Sequence, residues 1–186
     1  MKRLLIIFFV SMLFCGCSGQ EGELDRAMTL RQRLFSGNGC SFTAEITADY
    51  GDYIYTFTLS CQGDQQGNLA FTVVSPESIS GITGTVSDAG GKITFDGAVL
   101  AFPTIADGQV TPVTAPWLFL KTLRSGYIVS CGEDKEGTYL KIDDSYSDKA
   151  VHLDIWLDAN LMPESAEVLW DGRRILSILV KDFTIL

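Results

Sequence analysis

The amino-acid sequence predicts an α+β domain: one large, curved, antiparallel sheet packed on two or three helices. Three observations predict it. From residue 40 onward, apolar residues recur at every second position over most of the chain. The segments so defined are joined by short, turn-like connections, which makes neighbouring strands antiparallel. Only two stretches, near 23–35 and 114–126, carry apolar residues at helical spacing. Roughly ten or eleven strands with so few helices suggest one curved sheet or a barrel.

The first element is a targeting signal. Lys2 and Arg3 form a basic start, and Leu4 to Phe14 form an apolar run broken only by Ser11. A run of about eleven residues is too short for a hydrocarbon layer that needs about 20, and it reads as the core of a secretory signal. "LFCGC" follows, with Cys15 and Cys17 either side of Gly16. It resembles the lipobox of bacterial lipoproteins, in which a small residue precedes the cysteine that becomes the acylated N-terminus. Phe14 departs from the usual leucine, and Cys15 is a less common small residue. A metal or redox reading needs further ligands, and the following "SGQEGE" has neither His nor Cys. Residues 1–16 are therefore expected to be a cleaved signal peptide, 17–23 a lipidated cysteine with a short tether, and 24–186 a single domain.

After the tether, Leu24, Ala27, Met28, Leu30, Leu34 and Phe35 predict an amphipathic helix over 23–35, stopped by "SGNG". This helix is expected to pack on the domain. The period then changes to two. Phe42, Ala44, Ile46 and Ala48 alternate with polar residues, as do Tyr53, Tyr55, Phe57 and Leu59. A turn at Tyr50-Gly51 or at Gly51-Asp52 puts both apolar sets on one face. "LAFTVV" (69–74), "ITGTV" and "KITF" continue the pattern, and Asp96-Gly97 signals another hairpin. The proline-rich 103–116 is no central strand. "TAPWLFLKTLRSG" offers a second helix with Pro116 in its first turn and Gly126 as its stop. Strands near 126–131, 137–143, 150–157 and 164–170 follow, and Asp171-Gly172 turns the last of these into a final strand.

Composition excludes several functions. The chain has 186 residues, 46% hydrophobic and 20% charged, a globular balance for one domain with a sizeable core. Its formal charge is -9, and loss of residues 1–16 removes Lys2 and Arg3 but no acid. Such a surface repels phosphate backbones and anionic headgroups, so nucleic-acid binding and basic membrane attachment are not expected.

Chemistry-bearing residues are few. His152 is the sole histidine; it shares a strand face with Asp154, Trp156 and Asp158, a pattern read as a solvent face. "DDSYSD" (143–148) lacks the alternating oxygens and central glycine of a calcium loop. No GxSxG, Walker loop, HExxH or Cys-x-x-Cys occurs, so neither enzymatic activity nor a cofactor or metal is expected. With Cys17 lipidated, Cys40, Cys61 and Cys131 allow at most one internal disulfide. Cys40 and Cys61 lie directly opposite if the turn is Tyr50-Gly51 and diagonally if it is Gly51-Asp52; glycine at the first loop position favours the second, so three small buried residues fit better than a bridge. Tyr53, Tyr55, Phe57, Phe71, Phe95, Phe102, Trp117 and Phe119 can line a lipid-sized cavity or fill a dry core. For a cavity, the lining candidates are Tyr55, Phe57, Phe71, Phe95, Trp117 and Phe119.

The segment "VHLDIWLDANLMPESAEVLWDGRRILSILVKDF", together with "VSPESISGITGTV" and "KITFDGAVLAF", resembles the LolA-like superfamily of lipoprotein-localisation carriers. It is similar in particular to lipid-anchored members in Gram-positive spore formers, including the germination lipoprotein GerS. The resemblance covers about 24–186 and rests on element order. It implies an incomplete half-barrel wrapped over helices. Carriers of this group hold acyl chains on their inner face, whereas GerS-like members are protein partners of a cell-wall amidase. A tethered chain cannot shuttle across an envelope, so no carrier residue is transferred to it.

The expected protein is a non-catalytic lipoprotein of the cell envelope, anchored through Cys17 on the extracytoplasmic face of the cytoplasmic membrane. It binds a hydrophobic ligand or handles lipoproteins; the alternative is a protein-binding partner regulating an envelope or cell-wall enzyme. Cys17→Ser is expected to release the protein from the membrane fraction and to abolish palmitate labelling. Unchanged fractionation and labelling would remove the anchor.

Overall fold

The computed structural model describes residues 19–94, 108 and 110–186. The signal segment, Cys17, Phe95, Phe102 and the Asp96-Gly97 turn lie outside the described residues. Helix α1 spans Gly19–Ser36 and leads into β1 (Gly39–Asp49), β2 (Ile54–Asp64), β3 (Leu69–Ser75), β4 (Thr83–Ser87) and β5 (Gly90–Thr94). Helix α2 (Ala115–Ser125) precedes β6 (Tyr127–Asp134), β7 (Gly137–Asp143), β8 (His152–Leu157), β9 (Pro163–Trp170) and β10 (Arg173–Ile185). Helix α1 begins before the expected 23. Gln20, Glu21 and Glu23 are good helix formers, and acids in a first turn favour the positive end of the helix dipole.

All ten strands form one antiparallel sheet in the order β5-β4-β3-β2-β1-β10-β9-β8-β7-β6. The first and last strands of the chain thus meet in its middle, with β5 and β6 at the edges. Register shifts occur in the pairings of β1 with β10, β10 with β9, β2 with β3, β6 with β7 and β8 with β9. Each shift bends its strand and adds twist, and together they curve the sheet without closing it. This is the α+β curved sheet that the alternation and short turns predict, in the incomplete half-barrel form that the resemblance implies.

The β1–β2 turn adopts the register that glycine at its first loop position favours. Asp49 pairs with Ile54, and the Tyr50 amide donates to the Tyr53 carbonyl at 2.9 Å, leaving Gly51-Asp52 as the loop. Gly51 has φ 88°, a left-handed value that costs glycine little. In this register Cys40 faces Gly63 and Cys61 faces Phe42, so the two cysteines sit diagonally. Cys40, Cys61 and Cys131 are all free and buried. At the far hairpin, Asp171 (φ 50°) and Gly172 (φ 71°) form the two-residue turn read from the sequence.

Both helices cover the inner face. From α1 come Ala27, Leu30 and Leu34, and from α2 come Leu118, Phe119, Leu120 and Leu123, all buried. Phe119 meets Phe42 edge-on at 5.9 Å, and Phe42 stacks on Phe183 at 5.4 Å. Gly63 is required here, because a Cβ would lie 2.5 Å from a Leu120 methyl. The space beneath the helices is therefore filled with packed side chains.

Arg31 locks the two helices together. Its Nε donates to the Leu123 carbonyl at 2.9 Å, and a terminal nitrogen donates to the Gly126 carbonyl at 2.6 Å. These are carbonyls at the end of α2, which lack partners within the helix and sit at its negative pole. Burial lowers the Arg31 pKa, yet a guanidinium stays charged. Arg31→Met is expected to lose about 1–3 kcal/mol by denaturant unfolding, through carbonyls left unpaired in a half-buried site. Lys at this position is expected to recover only part, since it lacks the planar fork.

Candidate functional site

The site starts from the β1–β2 hairpin, whose strands extend beyond the reach of the helices. Alternation places Tyr55 opposite Ala48 and Phe57 opposite Ile46, on the same inner face as the core. Ala48 and Ile46 are fully buried, but Tyr55 is 48% exposed, Tyr53 67%, and Phe57 half-buried. Tyr50 packs against Tyr55 edge-on at 5.7 Å. Tyr53 stacks on Tyr55, and Tyr55 lies against Phe57, each pair with centroids 6.3 Å apart. Four rings thus form a ladder from the open rim of the half-barrel down to its packed interior.

The rim is held rigid by polar contacts. Asp49 accepts the Gly51 amide at 2.7 Å and pairs with Arg173 at 3.0 Å, tying the β1–β2 tip to the β9–β10 turn. The Gly51 amide first, and then Arg173, hold the Asp49 carboxyl below its ordinary range. A ladder of rings on a fixed hairpin offers apolar area with little side-chain entropy to lose on binding.

Of the other lining candidates, Phe95 lies outside the described residues, and Phe71, Phe119 and Trp117 do not join this ladder. Phe71 and Phe119 are sealed in the interior. Trp117 sits half-buried on α2, where its indole N–H donates to the Gly67 carbonyl at 3.1 Å and Lys121 lies over its ring at 4.8 Å. Tyr55 and Phe57 are the two of the set that face open space along the rim. Sequence reasoning grouped Tyr53 with the rest and gave Tyr50 no role, although both sit at the turn between alternating strands.

His152 contacts Asp143 on the adjacent strand, and Lys141 pairs with Asp154 at 3.1 Å, both on the outer face. The Trp156 indole donates to Asp134 at 3.0 Å, which holds that carboxyl below its usual range. In the acidic run, Asp144 accepts the Val151 amide and the Ser145 hydroxyl, a hydrogen-bonded turn. Among the described residues, no three His, Cys, Asp or Glu side chains converge as a metal site would need. Two larger grooves lie elsewhere. One of about 560 Å³ crosses the outer face between Ser60, Thr72, Thr83 and Lys92, and one of about 750 Å³ runs between α1 and the end of α2.

A half-open sheet with a filled interior and an aromatic rim has the geometry of a binding surface. No family model and no curated protein matches the chain. Among solved structures it is similar to a LolA superfamily protein from Nitrosomonas europaea, at 10% identity and TM-score 0.48, covering 91% of this chain and 94% of that one. A DUF1329 family protein from Desulfovibrio piger is similar at 8% identity and TM-score 0.48, with the same two coverages, 91% and 94%. An outer membrane lipoprotein-sorting protein domain from Vibrio parahaemolyticus is similar at 10% identity and TM-score 0.44, covering 86% and 90%. These likenesses concern overall fold.

The buried thiols carry a chemical consequence. Burial pushes the Cys40 thiol up to about 11 and raises Cys61 and Cys131 as well. All three are thus neutral and unreactive near pH 8. Slow reaction with Ellman's reagent is expected in the native protein and fast reaction of the same thiols in denaturant. A Cys40–Cys61 bridge would instead withhold two thiols from the unreduced, denatured chain. Above the ordinary thiol value of about 9, the unfolded chain ionises first, so the stability Cys40 confers declines between pH 9 and 11.

Proposed function

We propose that this chain is a lipid-anchored, non-catalytic binding protein of the extracytoplasmic membrane face, and that the aromatic rim of its half-barrel receives a hydrophobic ligand. One observation carries the reading: Tyr55 continues the core face of β2 and Tyr53 stacks on it from the turn, yet both stand in open space. Exposed aromatic area continuous with a core is costly in water and marks an interaction site. The interior under α1 and α2 is filled, so an acyl chain would lie along Tyr53, Tyr55 and Phe57 rather than inside the barrel. The anchor at Cys17 rests on the Gly16-Cys17 pair after the apolar leader.

A second reading is a protein partner that regulates an envelope or cell-wall enzyme. The edge strand β6 favours it: Val129, at the bulge, is 63% exposed, and Tyr127 lies against the exposed Tyr146. Such an edge supports docking of a protein rather than uptake of a lipid.

Native mass spectrometry of residues 18–186 after gentle extraction separates the two. Co-purified lipid is expected, and the Tyr53→Ser, Tyr55→Ser double variant should retain about tenfold less, in line with loss of two aromatic contacts. Lipid retained equally by the double variant would take the rim out of the proposal. Lipid-free wild-type protein would favour the partner reading.

A further inference from the structure

Helix α1 has two apolar faces, and the core uses one. Ala27, Leu30 and Leu34 are buried at 1%, 0% and 4% exposure. Leu24, Met28 and Phe35 are 44%, 52% and 57% exposed. At 3.6 residues per turn these three side chains fall within about 40° of one another, roughly 100° round the helix from the buried set. They form a second stripe about 16 Å long on the outside of the molecule. Arg124 lies over the Phe35 ring at 5.1 Å and donates to the Asp64 and Gln65 carbonyls, which fixes one end of the stripe.

The position of this stripe in the chain names what covers it. Helix α1 begins at Gly19, two residues after Cys17. Two residues reach at most about 7 Å, so lipid on Cys17 holds the start of α1 at the depth of the headgroups. We infer that the outer stripe of α1 lies on the bilayer that carries the Cys17 lipid, with the helix in the membrane plane. The inference rests on the anchor proposed above. The occupant is a bilayer surface engaged by apolar contact. The chain's net charge of -9 opposes anionic headgroups, and Asp25 flanks the stripe, so zwitterionic lipid suffices and anionic lipid weakens the contact. No described helix is long and apolar enough to cross a membrane, and α1 lies on the surface. Acyl chains on Cys17 and a three-residue stripe together supply the two hydrophobic signals that stable attachment takes.

The test uses the full lipidated chain in phosphatidylcholine vesicles. Nitroxide labels are placed through Met28→Cys, Phe35→Cys and, on the outer sheet face, Thr83→Cys; the native thiols are buried and label slowly. The ratio of oxygen to nickel-complex accessibility is expected to be severalfold higher at 28 and 35 than at 83, and to fall when anionic lipid is added. Vesicle-bound protein with all three labels equally open to nickel overturns the inference and leaves the anchor standing. Protein that neither binds vesicles nor takes up palmitate overturns both, and the missing palmitate identifies the anchor as the failure.

Discussion

The pairing of β1 with β10 is the constraint on which the remaining architecture hangs. Eight residue pairs join the two strands, from Cys40 with Ile185 to Ala48 with Leu176. On one side β2 to β5 add in chain order, and on the other β9 to β6 add in reverse. Two meanders are thereby welded along one seam, formed by segments far apart in the sequence. Closing so long a loop carries a substantial entropic cost, which local hairpins alone cannot offset. The inner face of the seam supplies the return: Ala44, Ile46, Ala48, Leu176, Ile178 and Val180 are all buried there. The chain must then cross from β5 at one edge to β6 at the other, and α2 lies on that crossing. Its place over the inner face follows from the strand order.

This explains why the rim is open. Helix α2 is pinned at the β2–β3 turn by Arg124 and Trp117, and at α1 by Arg31. It therefore covers the end of β2 near Gly63 and not the end near Tyr53. The aromatic ladder is the part of the inner face that the helices leave bare. Arg31, half-buried against backbone carbonyls, is more consequential for this arrangement than any surface ion pair.

Much of the fold was legible in the sequence, because period-two alternation and dipeptide turns are local signals. The β1–β2 hairpin and the Asp171-Gly172 turn needed nothing beyond their own residues. Glycine at the first loop position favoured the observed hairpin register, although both turns put the same residues on the same face; the Asp49 side chain bonded to the Gly51 amide also belongs to it. The start of α1 was missed because "GQEGE" reads as a polar spacer, although its Gln and Glu favour helix. The candidate site was half legible. Tyr55 and Phe57 were identifiable as inner-face aromatics, as were Phe71 and Phe119. Which of them stay uncovered depends on where α2 lands, a long-range fact set by Arg31 and the strand order. The free Cys40 and Cys61 follow from the same register.

The seam also has a mechanical meaning. Any pull on the N-terminus travels down α1, across Gly37 and Asn38, and enters the sheet at the first residue of β1. That strand is flanked on both sides, by β2 over its full length and by β10 over most of it. A load delivered there is shared among two ladders of hydrogen bonds. Tension entering at β1 thus meets a strand that is paired along both of its sides.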